Sequence, residues 1–429
     1  MELLRLIWRD YRAAFIAVLV GSMASAGLGR VIQAREQGRT PGKGSSNSAI
    51  LIWLDGGPGH MDMYDMKPDA PVEYRGIWRP QQTRVPGFEI TELYPRQAKL
   101  TDKFSMVRSL HHDTGDHFAG GHRMLTTKSM GVSGGNNAGR FPSLGAIVAH
   151  QRRHLPTTVP PYVSVPVASS IGLNPGYFAG NYLGVQYDPF QTKGDPNAEN
   201  FKVANLELAS DMSIERLDDR QSLLTELDKI PRAVENSGSF DALDQFNQRA
   251  LSFVAGAKAR TAFDISREDD KTREMYGRHS WGQSTLLARR LLERGVRYVQ
   301  LWHGASQPWD AHRKVESNHR TLAAQIDRPI AGLLADLKQR GMLEDTLVIW
   351  TGEFGRTPTS EGSKGRDHNI SGFTLWMAGG GMKPGLAYGT TDELGFRSVE
   401  NPVEIPDLHA TILHTLGLNH ERLTYYYNG

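Results

Sequence analysis

The chain has 429 residues, a formal net charge of +2 and no cysteine. The near-neutral charge argues against a nucleic-acid-binding protein, which would show a basic stripe, so we expect no nucleic-acid partner. The lack of cysteine excludes disulfides, thiolate metal ligands and a cysteine nucleophile. The length fits one large domain or two ordinary ones.

The first 45 residues differ in composition from the rest of the chain. An arginine-containing start precedes the uncharged run AAFIAVLVGSMASAGL, and a linker rich in glycine and serine follows. The run is short for a membrane span but typical of a signal peptide, and Ala24-Ser25-Ala26 has the form of a cleavage site. We expect residues 1–45 to be a signal-like segment and linker, with export to the periplasm or cell surface and no stable membrane span afterwards. A buried N-terminal helix is the alternative.

Apolar patterns then predict the elements of a layered α/β domain. Strands are predicted at 49–54, 104–107, 161–165, 297–302, 346–350 and 373–378. Helices are predicted from 143 and from 240, and over 284–295, 318–341 and 405–417, with Pro329 kinking the helix that contains it. Strands that alternate with helices indicate a mostly parallel sheet. Residues 166–240 lack periodicity and are predicted to be a long loop insertion above the sheet.

Acids and histidines follow three of the predicted strands. Asp55 follows the first, His303 follows the fourth with Asp310 and His312 close behind, and Glu353 follows the fifth. The carboxyl ends of parallel strands meet at one edge, so these side chains should converge. Crowded carboxylates repel, and a divalent cation removes that repulsion. Oxygen and imidazole donors suit zinc, manganese, magnesium or calcium. The alternative is that each acid is a turn former or cap and each histidine a satisfied core residue.

Two further polar clusters precede or follow predicted strands. Residues 108–127 contain six acids and histidines, and residues 365–369 place Arg366, Asp367 and His368 just before the last predicted strand. A polar surface loop is the alternative for the first cluster. The members of that cluster are His111, His112, Asp113, Asp116, His117 and His122.

Five segments together resemble the bacterial DUF1501 family, which is placed in the alkaline phosphatase/sulfatase superfamily. They are LDGGPGHMDMYDMKP, VRSLHHDTGDHFAGG, WTGEFGRTP, GRDHNISGFTLWMAGGGMKPG and PDLHATILHTLGL. The resemblance implies a three-layer α/β/α sandwich over residues 46–429 with a metal site above the sheet. The N-terminus is also similar to a twin-arginine export signal, although Trp8 stands where the first arginine would be.

The resemblance also implies roles for individual residues. Phe354 departs from the superfamily pattern because it stands where a metal-binding histidine would be, and no serine, threonine or cysteine clearly occupies the nucleophile position. Thr114 is the best hydroxyl near that position, and His117 is the best alternative. Arg356 and Arg366 could hold an anion by bidentate contacts, with surface salt bridging as the alternative. The expected metal ligands are Asp55, Asp310, His312, Glu353, Asp367 and His368.

Two functions from different classes follow. The first is an exported, metal-dependent hydrolase of phosphate or sulfate esters that acts on an anionic small molecule or glycan ester with Zn, Mn or Ca. Its nucleophile is either a side chain on the metal or a metal-activated water. The alternative is a catalytically degenerate member that binds an anionic glycan or a partner protein at the cell surface. A structural cell-surface component would need no metal.

Overall fold

The computed structural model describes residues 46–130, 141–155, 157–171, 173–203, 206, 257–304, 306–362 and 364–426. The signal-like segment predicted at 1–45 lies outside these residues. Most of the helix predicted from residue 240 and the part of the loop insertion beyond 206 also lie outside them.

The strands are β1 (Ser48–Leu54), β2 (Pro80–Gln81), β3 (Ile90–Thr91), β4 (Phe104–His111), β5 (Tyr162–Val165), β6 (Phe190–Gln191), β7 (Tyr298–His303), β8 (Thr346–Thr351), β9 (Gly355–Glu361), β10 (Gly365–Asn369), β11 (Phe373–Gly379), β12 (Ala387–Tyr388), β13 (Thr390–Thr391), β14 (Ser398–Glu400) and β15 (Val403–Glu404). The helices are α1 (His117–Thr126), α2 (Leu144–Gln151), α3 (Ala257–Phe263), α4 (Asp270–Tyr276), α5 (Ser280–Glu293), α6 (Val315–Gln339) and α7 (Ile405–Thr415).

A mostly parallel sheet forms the centre of the molecule. Its strand order is β12-β4-β11-β8-β1-β7-β5-β6, and β15 also pairs with β4. β1 runs parallel to both β7 and β8, whereas β11 runs antiparallel to β4 and β8. The carboxyl ends of β1, β4, β7 and β8 therefore lie at one edge of the sheet, and the amino end of β11 lies there too.

Each face of the sheet packs against a helical layer. Ile50 and Ile52 of β1 lie in a core shared with α5 and α6. Leu51 and Trp53 lie in a second core shared with α1, α2 and α7. This alternation is that of a central strand with both faces covered. Each fully buried aliphatic side chain contributes about 1.5 to 3 kcal/mol. The predicted three-layer α/β/α architecture is confirmed.

The predicted strands are all present, within a few residues of their expected bounds. The helices predicted from 143 and over 284–295, 318–341 and 405–417 are present as α2, α5, α6 and α7. α6 continues through Pro329 as one helix of 25 residues. None of the helices in the described residues is both long and apolar enough to cross a membrane.

Candidate metal centre

The edge formed by the strand ends gathers polar side chains from distant parts of the chain. β1 and β8 pair in register at Trp53 and Thr351, so Asp55 and Glu353 emerge close together just beyond the sheet. β10 precedes the antiparallel β11, and its His368 reaches the same edge from the opposite chain direction. Neighbouring parallel strands and one antiparallel strand thus deliver the predicted residues to one place.

Four side chains, named here the outer cluster, could hold one cation. Their donor atoms all lie within 4.8 Å of one another. Asp310 Oδ1 lies 3.0 Å from His312 Nε2 and 3.3 Å from His368 Nε2, and the two histidine nitrogens are 3.0 Å apart. Donor atoms around a four-coordinate zinc ion lie about 3.3 Å apart, so the spacing fits such an ion. The outer cluster consists of His117, Asp310, His312 and His368.

Neighbouring groups orient these donors. His368 donates through Nδ1 to the carbonyl oxygen of Gly115 over 2.6 Å, which leaves Nε2 facing the cluster. His117 Nδ1 lies 2.7 Å from Glu353 Oε1, and its Nε2 lies 3.3 Å from Asp310 Oδ2. Partners of this kind set the tautomer and direction of a metal-binding histidine.

The electrostatics of the cluster favour charged forms. Burial lowers the pKa of His117, but its contacts with the Asp310 and Glu353 carboxylates outweigh burial and raise this pKa to about 9. Burial raises the pKa of Asp310, but His117, His368 and the Arg356 guanidinium hold it well below its usual range. The carboxylate of Asp310 is therefore ionised at every physiological pH and available to a cation.

A second, deeper group lies beside the outer cluster, and we name it the inner pair: Asp55 and Glu353. Their exposed fractions are 2% and 1%. Burial and the charge of Glu353 raise the pKa of Asp55 well above its ordinary value. Ser170 Oγ lies 3.2 Å from both carboxylate oxygens of Asp55. The Gly56 N–H donates to Glu353 Oε1 over 2.8 Å, which ties the two strand ends together.

Two glycines after β1 allow the loop backbone to pass close to the backbone of Asp310. Gly56 and Gly57 have φ angles of +110° and +72°, which glycine adopts without strain. A Cβ atom on Gly56 would lie 2.4 Å from the backbone nitrogen of Asp310. A side chain there would push Asp310 out of the outer cluster.

The two arginines named as anion holders are internal supports. Arg356 is fully buried, and its guanidinium donates to the carbonyl oxygens of Gly56, Gly57 and Arg366 and to Asp310 Oδ1. Arg366 is 4% exposed. It forms a bidentate pair with Asp62 at 2.7 and 3.0 Å and also donates to three backbone carbonyls. Arg356 thus fixes Asp310, whereas Arg366 braces the β9–β10 hairpin against the loop after β1.

Two other predicted residues lie near the cluster without joining it. Asp367 is exposed, and its carboxylate accepts a hydrogen bond from the His368 N–H over 2.7 Å. Thr114 is half-buried, and its N–H donates to His112 Nδ1 over 3.3 Å. Asp367 therefore shapes the backbone beside a donor, and Thr114 precedes the carbonyl of Gly115 that holds His368.

The sequence of residues 46–429 matches the family described as "Protein of unknown function (DUF1501)". The chain belongs to the DUF1501 family. No curated protein matches its sequence.

Several solved structures are similar to this DUF1501 chain at low sequence identity. Ps i-CgsB, solved in complex with k-i-k-neocarrahexaose, is 10% identical with a TM-score of 0.41, and the match covers 87% of this chain and 72% of that one. The PsFucS1 sulfatase from Pseudoalteromonas sp. is 13% identical with a TM-score of 0.40, covering 93% and 72%. The alkaline phosphatase from the Antarctic bacterium TAB5 is 13% identical with a TM-score of 0.39, covering 88% and 100%.

Phe354 packs on the flank of the centre in this DUF1501 member. Its ring lies 4.4 Å from the His368 ring and 5.0 Å from the His117 ring, measured between centroids. An aromatic ring supplies no donor for a cation. It instead limits how far the two histidines can turn away from the outer cluster.

Three polar residues beside the inner pair were not predicted from the sequence. Ser170 bonds to Asp55, and Gln307 Nε2 donates to Ser170 Oγ over 3.1 Å. Burial and the charges of Asp55 and Glu353 raise the pKa of Tyr177 well above its ordinary value. Ser170 lies 115 residues from Asp55 in the chain, within a segment that has no periodic pattern. No local signal could have placed it there.

Proposed function

We propose that this chain is a metal-dependent hydrolase of phosphate or sulfate esters, with the outer cluster as its cation site. The observation that supports the proposal most strongly is the mutual spacing of the four donors. Three imidazole nitrogens and one carboxylate oxygen suit zinc or manganese, and calcium is the third candidate.

The chain's own residues would hold and orient the ion. His117, Asp310, His312 and His368 supply donors, while Gly115 aligns one of them through its carbonyl. Arg356 donates to Asp310 Oδ1 over 2.5 Å and prevents that carboxylate from rotating. A divalent cation in this position lowers the pKa of bound water and polarises an ester oxygen.

The substrate class follows from the charge of the site. Arg356 and Arg366 direct their nitrogens at protein acceptors, so the positive charge that attracts an anionic ester must come from the metal. We propose an anionic small molecule or glycan ester as the substrate. The attacking group is Thr114, His117 or a metal-activated water, and Ser170 adds a hydroxyl whose partner is the Asp55 carboxylate.

We further propose that the protein acts outside the cytoplasm. The signal-like composition of residues 1–45 supports this location. N-terminal sequencing of protein recovered from the periplasmic or surface fraction should give a start after residue 26. Recovery of the uncut chain from the cytoplasm would contradict export.

A second candidate function is ester binding without turnover. The packing of Phe354 against His117 and His368 favours it, because the ring fills space on the flank of the cluster. Both functions require the cation, and they differ in product formation.

A panel of aryl phosphates and aryl sulfates tests the proposal. Chelated wild-type protein is assayed before and after addition of Zn²⁺, Mn²⁺ or Ca²⁺, together with His312→Ala and His368→Ala. We expect turnover that depends on the cation and falls by at least about 100-fold in each variant.

The exposed His154 provides the matched control. His154→Ala should keep both cation content and turnover. Turnover that survives chelation would contradict the hydrolase, and cation and ester binding without product would establish the second candidate.

A further inference from the structure

His117 lies between the outer cluster and the inner pair, with one ring nitrogen directed at each. Nδ1 lies 2.7 Å from Glu353 Oε1, and Nε2 lies 3.3 Å from Asp310 Oδ2. The second contact is an ion-pair distance without the alignment of a hydrogen bond, since the buried Nε2 has no hydrogen-bond partner among the described residues. The two ring nitrogens point away from each other, so they face two different positions.

The inner pair is incompletely satisfied. Glu353 Oε1 accepts from Gly56 and His117. Glu353 Oε2 is buried, and it accepts no hydrogen bond from any residue that the structure describes. A buried carboxylate oxygen without a partner is costly, and its neighbour Asp55 carries a second charge. Ser170 offers Asp55 a single hydroxyl, which does not neutralise either charge.

The net charge of the whole centre depends on how many cations it holds. Asp55, Glu353 and Asp310 contribute three negative charges, and Arg356 contributes one positive charge. Arg366 is neutralised by its own pair with Asp62. With neutral histidines, one divalent cation brings the net charge of the centre to zero, whereas two divalent cations with His117 as an imidazolate bring it to +1. A centre that attracts a dianionic ester needs a positive net charge.

We propose that His117 binds a cation through each ring nitrogen as an imidazolate, with both ring protons released to solvent as the ions bind, and thereby links two cation positions, one in the outer cluster and one at Asp55 and Glu353. This inference rests on the proposed cation site of the hydrolase. It gives His117 a bridging role and removes it from the candidate nucleophiles. It also makes Glu353 a ligand of the inner ion rather than a hydrogen-bond acceptor that only orients His117.

Manganese stoichiometry and electron paramagnetic resonance test the bridge. Protein stripped with a chelator is dialysed against Mn²⁺ alone, and ions per chain are counted by mass spectrometry. We expect two Mn²⁺ per chain with a magnetically coupled spectrum. Asp55→Asn should retain one ion and lose the coupling, because it deletes an inner ligand charge while keeping the shape and an acceptor for Ser170.

Two variants address the bridging residue and the control. His117→Gln should bind fewer ions and show no coupling, and circular dichroism and the unfolding midpoint establish that it is folded. His154→Gln, on the exposed surface, should keep two coupled ions.

The other outcomes separate this inference from the proposed function. One Mn²⁺ per chain in wild type, unchanged in Asp55→Asn, would overturn the second position and leave the outer cation site intact. Two uncoupled ions, or a coupled pair that survives His117→Gln, would overturn the bridge. No bound cation in wild type would overturn the proposed hydrolase as well.

Discussion

Two separate clusters of buried charge occur in the molecule, and they differ in the balance of positive and negative groups. The helix network joins α5 and α6 through three arginines and three acids. Arg289 alone lies 2.7 Å from Glu268, 2.8 Å from Glu293 and 2.8 Å from Asp336. In the candidate metal centre, by contrast, three buried or half-buried carboxylates face one guanidinium and the single imidazole of His117. The helix network consists of Glu268, Arg289, Arg290, Glu293, Asp336 and Arg340.

This difference distinguishes a structural network from a site. Opposite charges in equal number satisfy one another, so the helix network needs nothing from outside the chain. An excess of buried carboxylates at the edge of the sheet is stable only if a positive charge binds from outside the chain, or if the pKa of one carboxyl group rises so that it becomes neutral. Asp55 shows the second effect, and the outer cluster has the geometry for the first.

Breaking the balanced network should have the largest effect on stability. Arg289→Met removes the fully buried arginine that pairs with Glu268, Glu293 and Asp336 at once, so we expect the free energy of unfolding to fall by about 3 to 5 kcal/mol. Urea denaturation measures this loss, and cation content should not change. Arg320→Met is the control, since Arg320 pairs with Glu316 on the exposed surface and should cost at most about 1 kcal/mol. Equal losses in both variants would contradict the structural role of the network.

Adding a cation should stabilise the metal centre by a similar amount. For chelated protein returned to Zn²⁺ at about 1,000 times its dissociation constant, the free energy of unfolding should rise by about 4 kcal/mol. The double variant His312→Ala/His368→Ala should show little of this gain. Arg289→Met should show the full gain, because its defect lies elsewhere. A gain in the double variant as large as in wild type would place the cation outside the outer cluster.

A neutral buried histidine should contribute a pH-dependent effect of intermediate size. His409 is buried against α1, and its Nε2 lies 2.7 Å from the Met124 carbonyl oxygen. Burial lowers its pKa to about 4. Because the unfolded histidine has a pKa of about 6.5, the unfolded state binds more protons between pH 6.5 and 4, and stability falls as the pH falls.

His409→Gln keeps a hydrogen-bond donor without the titration. Between pH 7.5 and 4.5, wild type should lose about 2 to 3 kcal/mol more than the variant. Urea denaturation at the two pH values measures the difference. Parallel loss in both proteins would show that His409 does not bind its proton on unfolding.

The smallest effect is expected from relieving the excess charge itself. In chelated protein at pH 8, Asp55→Asn should leave the free energy of unfolding unchanged or raise it by up to about 1 kcal/mol, because burial and Glu353 oppose the charge of Asp55. Asp65→Asn is the matched control on the same loop. Arg108 and Lys67 oppose the effect of burial and hold the pKa of Asp65 below its usual range, so its loss should cost about 1 to 3 kcal/mol. A larger loss at Asp55 than at Asp65 would contradict the charge excess.

The positions of the strands could be predicted from the sequence, and so could the edge of the sheet at which the candidate donors lie. Apolar runs such as 49–54 and 346–350 are local signals, and the residue after each run must lie at the strand end. Asp55, Asp310, His312, Glu353 and His368 were predicted together from the strand ends and the family resemblance, and the structure brings all of them to one edge.

Contacts between distant segments could not be predicted in this way. Arg366 and Asp62 are separated by 304 residues, and nothing near Arg366 in the chain indicates that its partner is a buried acid rather than a substrate anion. His117 was one of several histidines in 108–127. Only its place at the start of α1, between Glu353 and Asp310, distinguishes it from His122, which bonds to the Lys128 carbonyl.

The sequence by itself determined the layered α/β fold, the family and most of the candidate donors, because hydrophobic periodicity and residue type are properties of short segments. The tertiary structure alone decided how the donors divide between an outer cluster and an inner pair. It also decided which arginines pair with acceptors inside the protein, and where buried negative charge exceeds positive charge. These features depend on distances and burial between strands, hairpins and loops far apart in the chain. Desolvation and Coulomb energies act over those distances, and residue spacing along the chain does not specify them.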